Sequence, residues 1–180
     1  VHAEYSIDNN IVTDKEYSAP RFQIQNINDR FGKGKKWTLV YSSKGHPTLT
    51  QTFRIYKDFL LADIEISSKS KELKTNYMAP VVAYTDTLLY SQNRRKLFVP
   101  FDNDAWIRYA TTTHIDSTLR SYEVTSVYDA RQRDGVVMGA VNHDRWKNAV
   151  ELSDKQKSLK MYSGIADKLT RDTRSHGFLK

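Results

Sequence analysis

Leu97–Tyr109, reading LFVPFDNDAWIRY, gathers two acids and an amide (Asp102, Asn103, Asp104) among the aromatics Phe98, Phe101, Trp106 and Tyr109. Aromatic rings bind the apolar C–H faces of sugars, while carboxylates and amides bind hydroxyls or a hard cation such as Ca²⁺. A polar knot ringed by aromatics therefore points to a carbohydrate-facing loop. The same residue types also build a strand–turn–strand corner, with Asp102 and Asp104 accepting from backbone N–H groups and the aromatics turned into the core. Glycosidic hydrolysis needs two carboxyl groups facing one bond. On a strand, Asp102 and Asp104 would share a face about 6–7 Å apart. A lone Asp-x-Asp does not supply the opposed environments that separate an acid from a base. The pair fits better, with Asn103 and Trp106, as contacts lining a sugar pocket. Two acids and one amide fall short of the roughly 6–8 oxygens that Ca²⁺ takes, so no metal is expected.

A second cluster, His143-Asp144-Arg145-Trp146, follows an apolar run. Trp146 is a candidate second stacking platform, with His143 beside it as a hydroxyl partner. In the structural alternative Asp144 caps a turn and Trp146 closes the end of the core, where tryptophan is usually buried. Trp37 reads as core or rim. The five histidines have no pair at metal-ligand spacing, and no serine sits in a Gly-x-Ser-x-Gly context. Arg94-Arg95-Lys96 reads as a solvated basic run at the start of a strand. No catalytic residue and no cofactor is expected in this chain.

The elements that must position these residues are short runs of β-branched and aromatic residues between polar or glycine-containing turns: Lys36–Ser42, Leu49–Tyr56, Phe59–Ser67, Leu119–Asp129, Gly135–Asn142 and Ser158–Ser163. Regular short strands of this kind build a sandwich or barrel. Within Ala62–Ser67, Ala62, Ile64 and Ile66 alternate with Asp63, Glu65 and Ser67, which implies one wet face. Leu119–Asp129 and Gly135–Asn142 read as a hairpin whose permissive geometry comes from the Asp134-Gly135 step. Phe31–Lys36 reads as a flexible basic loop, Ser42–Pro47 as a turn and Ser67–Lys74 as a polar loop. A short helical turn is expected near Ile165–Thr170, and Thr170–Lys180 reads as a linker or edge element. The expected fold is all-β, a single sandwich domain over residues 1–180.

The totals agree with that class. A 180-residue chain with 39% apolar and 12% aromatic residues has the material for a packed interior. No stretch approaches the roughly 18 apolar residues of a membrane helix. Cysteine is absent, which excludes disulfides and thiolate chemistry. The net charge of +7 is concentrated towards the end, residues 131–180 holding 11 Lys/Arg against 6 Asp/Glu. Basic and acidic residues alternate there, so the pattern is a mixed solvated surface rather than a nucleic-acid face. Neither nucleic acid nor a membrane is an expected partner. The chain opens on valine without methionine, which suggests that a preceding segment has been removed.

Three segments together, Phe98–Tyr109, Ser121–Val150 and Met161–Gly177, resemble bacterial α-galactosidase-like glycoside hydrolases of the melibiase and raffinose-synthase type. The likeness covers roughly the second half of the chain and lies in the region that precedes the catalytic barrel of those enzymes. It implies an antiparallel β-supersandwich of the galactose-mutarotase-like kind, and an exported bacterial protein, periplasmic or extracellular. In that family a following (β/α)₈ barrel carries the catalytic aspartates. Such a barrel needs about 200 or more residues of alternating strand and helix, which this chain does not contain. The resemblance thus implies a noncatalytic accessory domain that meets a galactoside only together with the barrel, through Asp102, Asn103, Asp104, Trp106 and Trp146. The rival reading is an autonomous carbohydrate-binding module; a sandwich-fold esterase or epimerase is a third. An accessory domain should expose a sizeable apolar patch where the barrel docks, whereas an autonomous module should hold Trp106 exposed in a small groove.

Overall fold

Alternation of apolar and polar residues turns most of the chain into strands with one dry face. The computed structural model describes residues 1–70, 72–84, 93–100, 109–115, 118–141, 146–164 and 174–179. In chain order the strands are His2–Ile7 (β1), Asn10–Thr13 (β2), Arg21–Asp29 (β3), Gly32–Tyr41 (β4), Thr48–Ile55 (β5), Leu60–Ser67 (β6), Tyr77–Tyr84 (β7), Arg95–Phe98 (β8), Ala110–Thr112 (β9), Leu119–Tyr122 (β10), Val124–Asp129 (β11), Asp134–Ala140 (β12), Lys147–Ser153 (β13), Ser158–Gly164 (β14) and Arg174–Leu179 (β15). All pairings are antiparallel. They make a six-stranded sheet, β10-β13-β14-β7-β1-β2, and a nine-stranded sheet, β3-β4-β5-β6-β15-β12-β11-β8-β9. The two sheets pack as a sandwich, so the all-β reading holds.

The core lies between the sheets in two clusters. One joins Ala62, Val127 and Met138 of the large sheet to Val150, Leu152 and Met161 of the small one. The other joins Leu49, Ile64 and Ile66 to Tyr5, Met78 and Trp146. As the alternation in β6 predicts, Ala62, Ile64 and Ile66 are buried while Glu65 and Ser67 are exposed. Each such aliphatic side chain contributes roughly 1.5–3 kcal/mol by burial.

Several local expectations are corrected. Leu119–Asp129 is two strands rather than one. Glu123 adopts φ 64, and the chain there leaves the six-stranded sheet (β10) for the nine-stranded one (β11). The β11–β12 hairpin forms as expected, but the left-handed residue is Arg133 (φ 55). Gly135 is needed for room instead, since a Cβ there would lie 2.7 Å from Tyr128 Cβ. Phe31–Lys36 is no loop. A two-residue turn at Arg30-Phe31 closes β3 onto β4, Asp29 Oδ1 accepts from Phe31 N at 2.9 Å, and Gly32 takes φ 101. Thr170–Lys180 is not an edge element, because β15 lies inside the large sheet between β6 and β12. The helical turn expected near Ile165–Thr170 lies outside the described residues. Ser42–Pro47 does turn, with Gly45 at φ 89 and His46 N donating to Ser43 O.

Candidate functional site

Asp102, Asn103, Asp104 and Trp106 lie outside the described residues, as do His143, Asp144 and Arg145. What is described is the frame around the first group. Phe98 pairs with Ala110 across β8 and β9, so the connection carrying the acidic–aromatic knot springs from the outer end of the large sheet. Tyr109, at the foot of that connection, is 66% exposed. Trp146 is a correction to the expected sugar contacts. It is 5% exposed and packed among core residues such as Tyr5, Ile64 and Met78, so its ring has no face for a sugar.

The basic run is also corrected. Lys96 is buried, because its place on β8 carries it between the sheets. Its Nζ lies 3.1 Å from Asp154 Oδ1, donates to Oδ2 at 3.2 Å and donates to Thr113 O at 3.1 Å. The Oδ1 contact is an ion pair at an angle that makes no hydrogen bond. Asp154 Oδ2 also accepts from Ile115 N at 2.8 Å. This cluster ties the β8–β9 end of the large sheet to the loop after β13. Its role is structural.

Two surfaces that sequence reasoning missed remain. The first is a cleft of about 410 Å³ on the outer face of the six-stranded sheet, within the usual size of small-molecule sites. Register explains it. Tyr122, Ala149 and Tyr162 lie side by side on β10, β13 and β14, and the next row sets Lys147, Gly164 and Tyr77 across β13, β14 and β7. Small residues form the floor and tyrosines the walls. The far wall comes from the β1–β2 hairpin, whose turn residues Asp8 (φ 49) and Asn9 (φ 65) give the twist that two-residue hairpins prefer. Asn9 Oδ1 accepts from Asn76 Nδ2 at 3.1 Å, which fixes that wall.

Beneath the rim the polar groups are organised. Tyr77 Oη donates to Glu4 Oε2 at 2.8 Å, and Lys160 Nζ lies 3.0 Å from the same oxygen. His2 Nε2 is 3.1 Å from Glu4 Oε1. Burial pushes the Glu4 carboxyl up, but Lys160, Tyr77 and His2 together outweigh it and hold it below 4.5. On the other side, Tyr162 Oη (3.2 Å) and Arg120 Nε (2.6 Å) both donate to Glu151 Oε1. Burial first, then the neighbouring carboxylate, raises both Tyr77 and Tyr162, so their hydroxyls stay protonated donors. The readable signal was three tyrosines and two cations on strand positions of one parity, once the pairing is known.

The second surface is the free end of the large sheet. Phe22 opposes Leu39 and Ile24 opposes Trp37, all on the face that elsewhere covers the core. The smaller sheet does not reach this far. Phe22 is 55%, Ile24 52% and Trp37 38% exposed. Phe22 and Trp37 meet edge to face at 5.9 Å. Lys35 and Lys33 continue the same face along β4, opposite Asn26 and Asn28.

Among the described residues no group of three metal-ligating side chains occurs, and no helix is long and apolar enough to cross a membrane. Comparison with protein-family models and with curated proteins finds no match to this chain.

Proposed function

We propose that this chain is the noncatalytic N-terminal β-sandwich domain of an exported bacterial α-galactosidase-like glycoside hydrolase. It packs on a catalytic barrel and lends the loop carrying Asp102, Asn103, Asp104 and Trp106 to the galactoside pocket. The observation that carries this reading is the shelf of Phe22, Ile24 and Trp37, three large side chains of a core-facing surface left in water. Contiguous exposed apolar surface of this kind marks an interaction site. Lys33 and Lys35 on the same face suit a partner surface that carries carboxylates beside its apolar part.

The strands β8 and β9 that flank the loop in sequence and the β3–β4 shelf lie at opposite ends of the nine-stranded sheet. Seven strand spacings separate β3 from β8, at most about 35 Å. A barrel of about 250 residues is about 45 Å across by the usual scaling of radius with length, so one such body can meet both.

The test compares the isolated chain with the full-length enzyme. The isolated chain should not hydrolyse an aryl α-galactoside. Ile24→Asp should leave its melting nearly unchanged, yet lower kcat/KM and protease resistance of the full-length protein. Turnover by the isolated chain that depends on Asp102 or Asp104, or a full-length Ile24→Asp enzyme with unaltered kinetics and proteolysis, overturns the proposal.

A further inference from the structure

The shelf accounts for one end of the molecule and leaves the tyrosine-walled cleft unexplained. Tyr122 and Tyr162 stand on strands separated by one intervening strand, about 10 Å apart at the backbone. Gly164 puts no side chain into the cleft, and Tyr162 packs against Tyr77 with ring centroids 5.5 Å apart, so paired rings form one side of it. A cleft of this volume takes a pyranose ring, whose C–H face suits the tyrosines and whose hydroxyls suit Asn9 and Asn76.

The charge at the rim makes the ligand more specific. Arg120 and Lys147 line the cleft, and among the described residues no carboxylate does. Glu4 and Glu151 are held beneath it by phenols and cations. Arg120 donates from Nε to Glu151, which holds in place a guanidinium that is still more than half exposed. A guanidinium fork matches a planar carboxylate or a sulfate group.

We infer that this cleft binds an acidic pyranoside, a sugar bearing a carboxylate or sulfate group, with the ring against the tyrosines and the anion on Arg120. This cleft is separate from the shelf, and the inference stands whether or not the barrel reading does.

Isothermal titration calorimetry of the chain at low salt tests it with three probes: trigalacturonate, a sulfated galactotriose and neutral galactotriose. Binding of either acidic probe, at least tenfold tighter than the neutral one and weakened by added salt, is the expected result; which acid binds identifies the anion. Arg120→Gln should weaken that binding by about tenfold or more, the scale of losing hydrogen bonds to a charged group. Gly164→Leu, whose side chain would start 3.5 Å from the Tyr162 ring and fill the floor, should abolish it. Arg94→Gln, remote from the cleft, should change nothing, and circular dichroism should report each variant folded. The inference is overturned if neither acid binds, if galactotriose binds as tightly, or if folded Arg120→Gln retains full affinity.

Discussion

The nine-stranded sheet ends in two different ways. At β8–β9 the inward face is closed by the chain itself: Lys96 is buried against Asp154 and Thr113, and Ile115 packs into the core. At β3–β4 the same face carries Phe22, Ile24 and Trp37 in water. Both ends lie beyond the centre of the smaller sheet, so geometry alone does not explain the contrast. The difference lies in what covers them. One end has a loop from the opposite sheet to finish it, and at the other Phe22, Ile24 and Trp37 stay exposed. A cation nearly removed from water is tolerated only where it is paired, whereas apolar groups left exposed mark a face meant to be covered.

The largest test of that contrast is Lys96→Ala. It leaves Asp154 facing a cavity and should destabilise the chain by about 3–5 kcal/mol in urea unfolding. A loss below about 1 kcal/mol would mean that the β8–β9 end is not sealed in this way. Ile115→Ala should follow at about 2–4 kcal/mol, the range for truncating a buried aliphatic side chain.

The outer face of the small sheet is a third kind of surface, polar and self-satisfied. Glu4→Gln there should cost roughly 1 kcal/mol at neutral pH, as a partly screened, charge-assisted network loses its charge. The pH dependence has a definite sign. The folded Glu4 carboxyl titrates below its unfolded value of 4.5, so its stabilisation is complete above that value and is lost as pH falls through the folded one. The acid limb of a stability profile should therefore be shallower in Glu4→Gln. An unchanged limb would remove Glu4 from the account. The smallest effect belongs to the shelf: Ile24→Thr, at a side chain about half in water, should stay within about 0.5 kcal/mol of the parent in the isolated chain. A loss of several kcal/mol would show the shelf to be ordinary core.

What was legible in the sequence follows from which forces are local. The alternation in Ala62–Ser67 reports burial directly, and β6 was read from it. Tyr77–Tyr84 reads badly because Pro80 argues against a central strand. Yet β7 sits centrally, and the register shifts on both flanks around Pro80, so no ladder bond is asked of it. Its carbonyl accepts from the buried Gln51 side chain instead. Glu123 gives no sign that it will turn left-handed, since tertiary pairing imposes that conformation. The cleft was invisible for the same reason: Ala149 and Gly164 mean nothing until Tyr122, Tyr162 and Tyr77 are set beside them.

The placement of β15 bears on how the molecule is made. It pairs with β6 on one side through Arg174↔Glu65 to Leu179↔Leu60, and with β12 on the other. The large sheet is otherwise two separate ribbons, β3–β6 and β12-β11-β8-β9. At about 5–20 residues per second, on the order of ten seconds or more of synthesis passes before this strand exists. Until it leaves the ribosome, each ribbon presents an open edge to any neighbouring nascent chain.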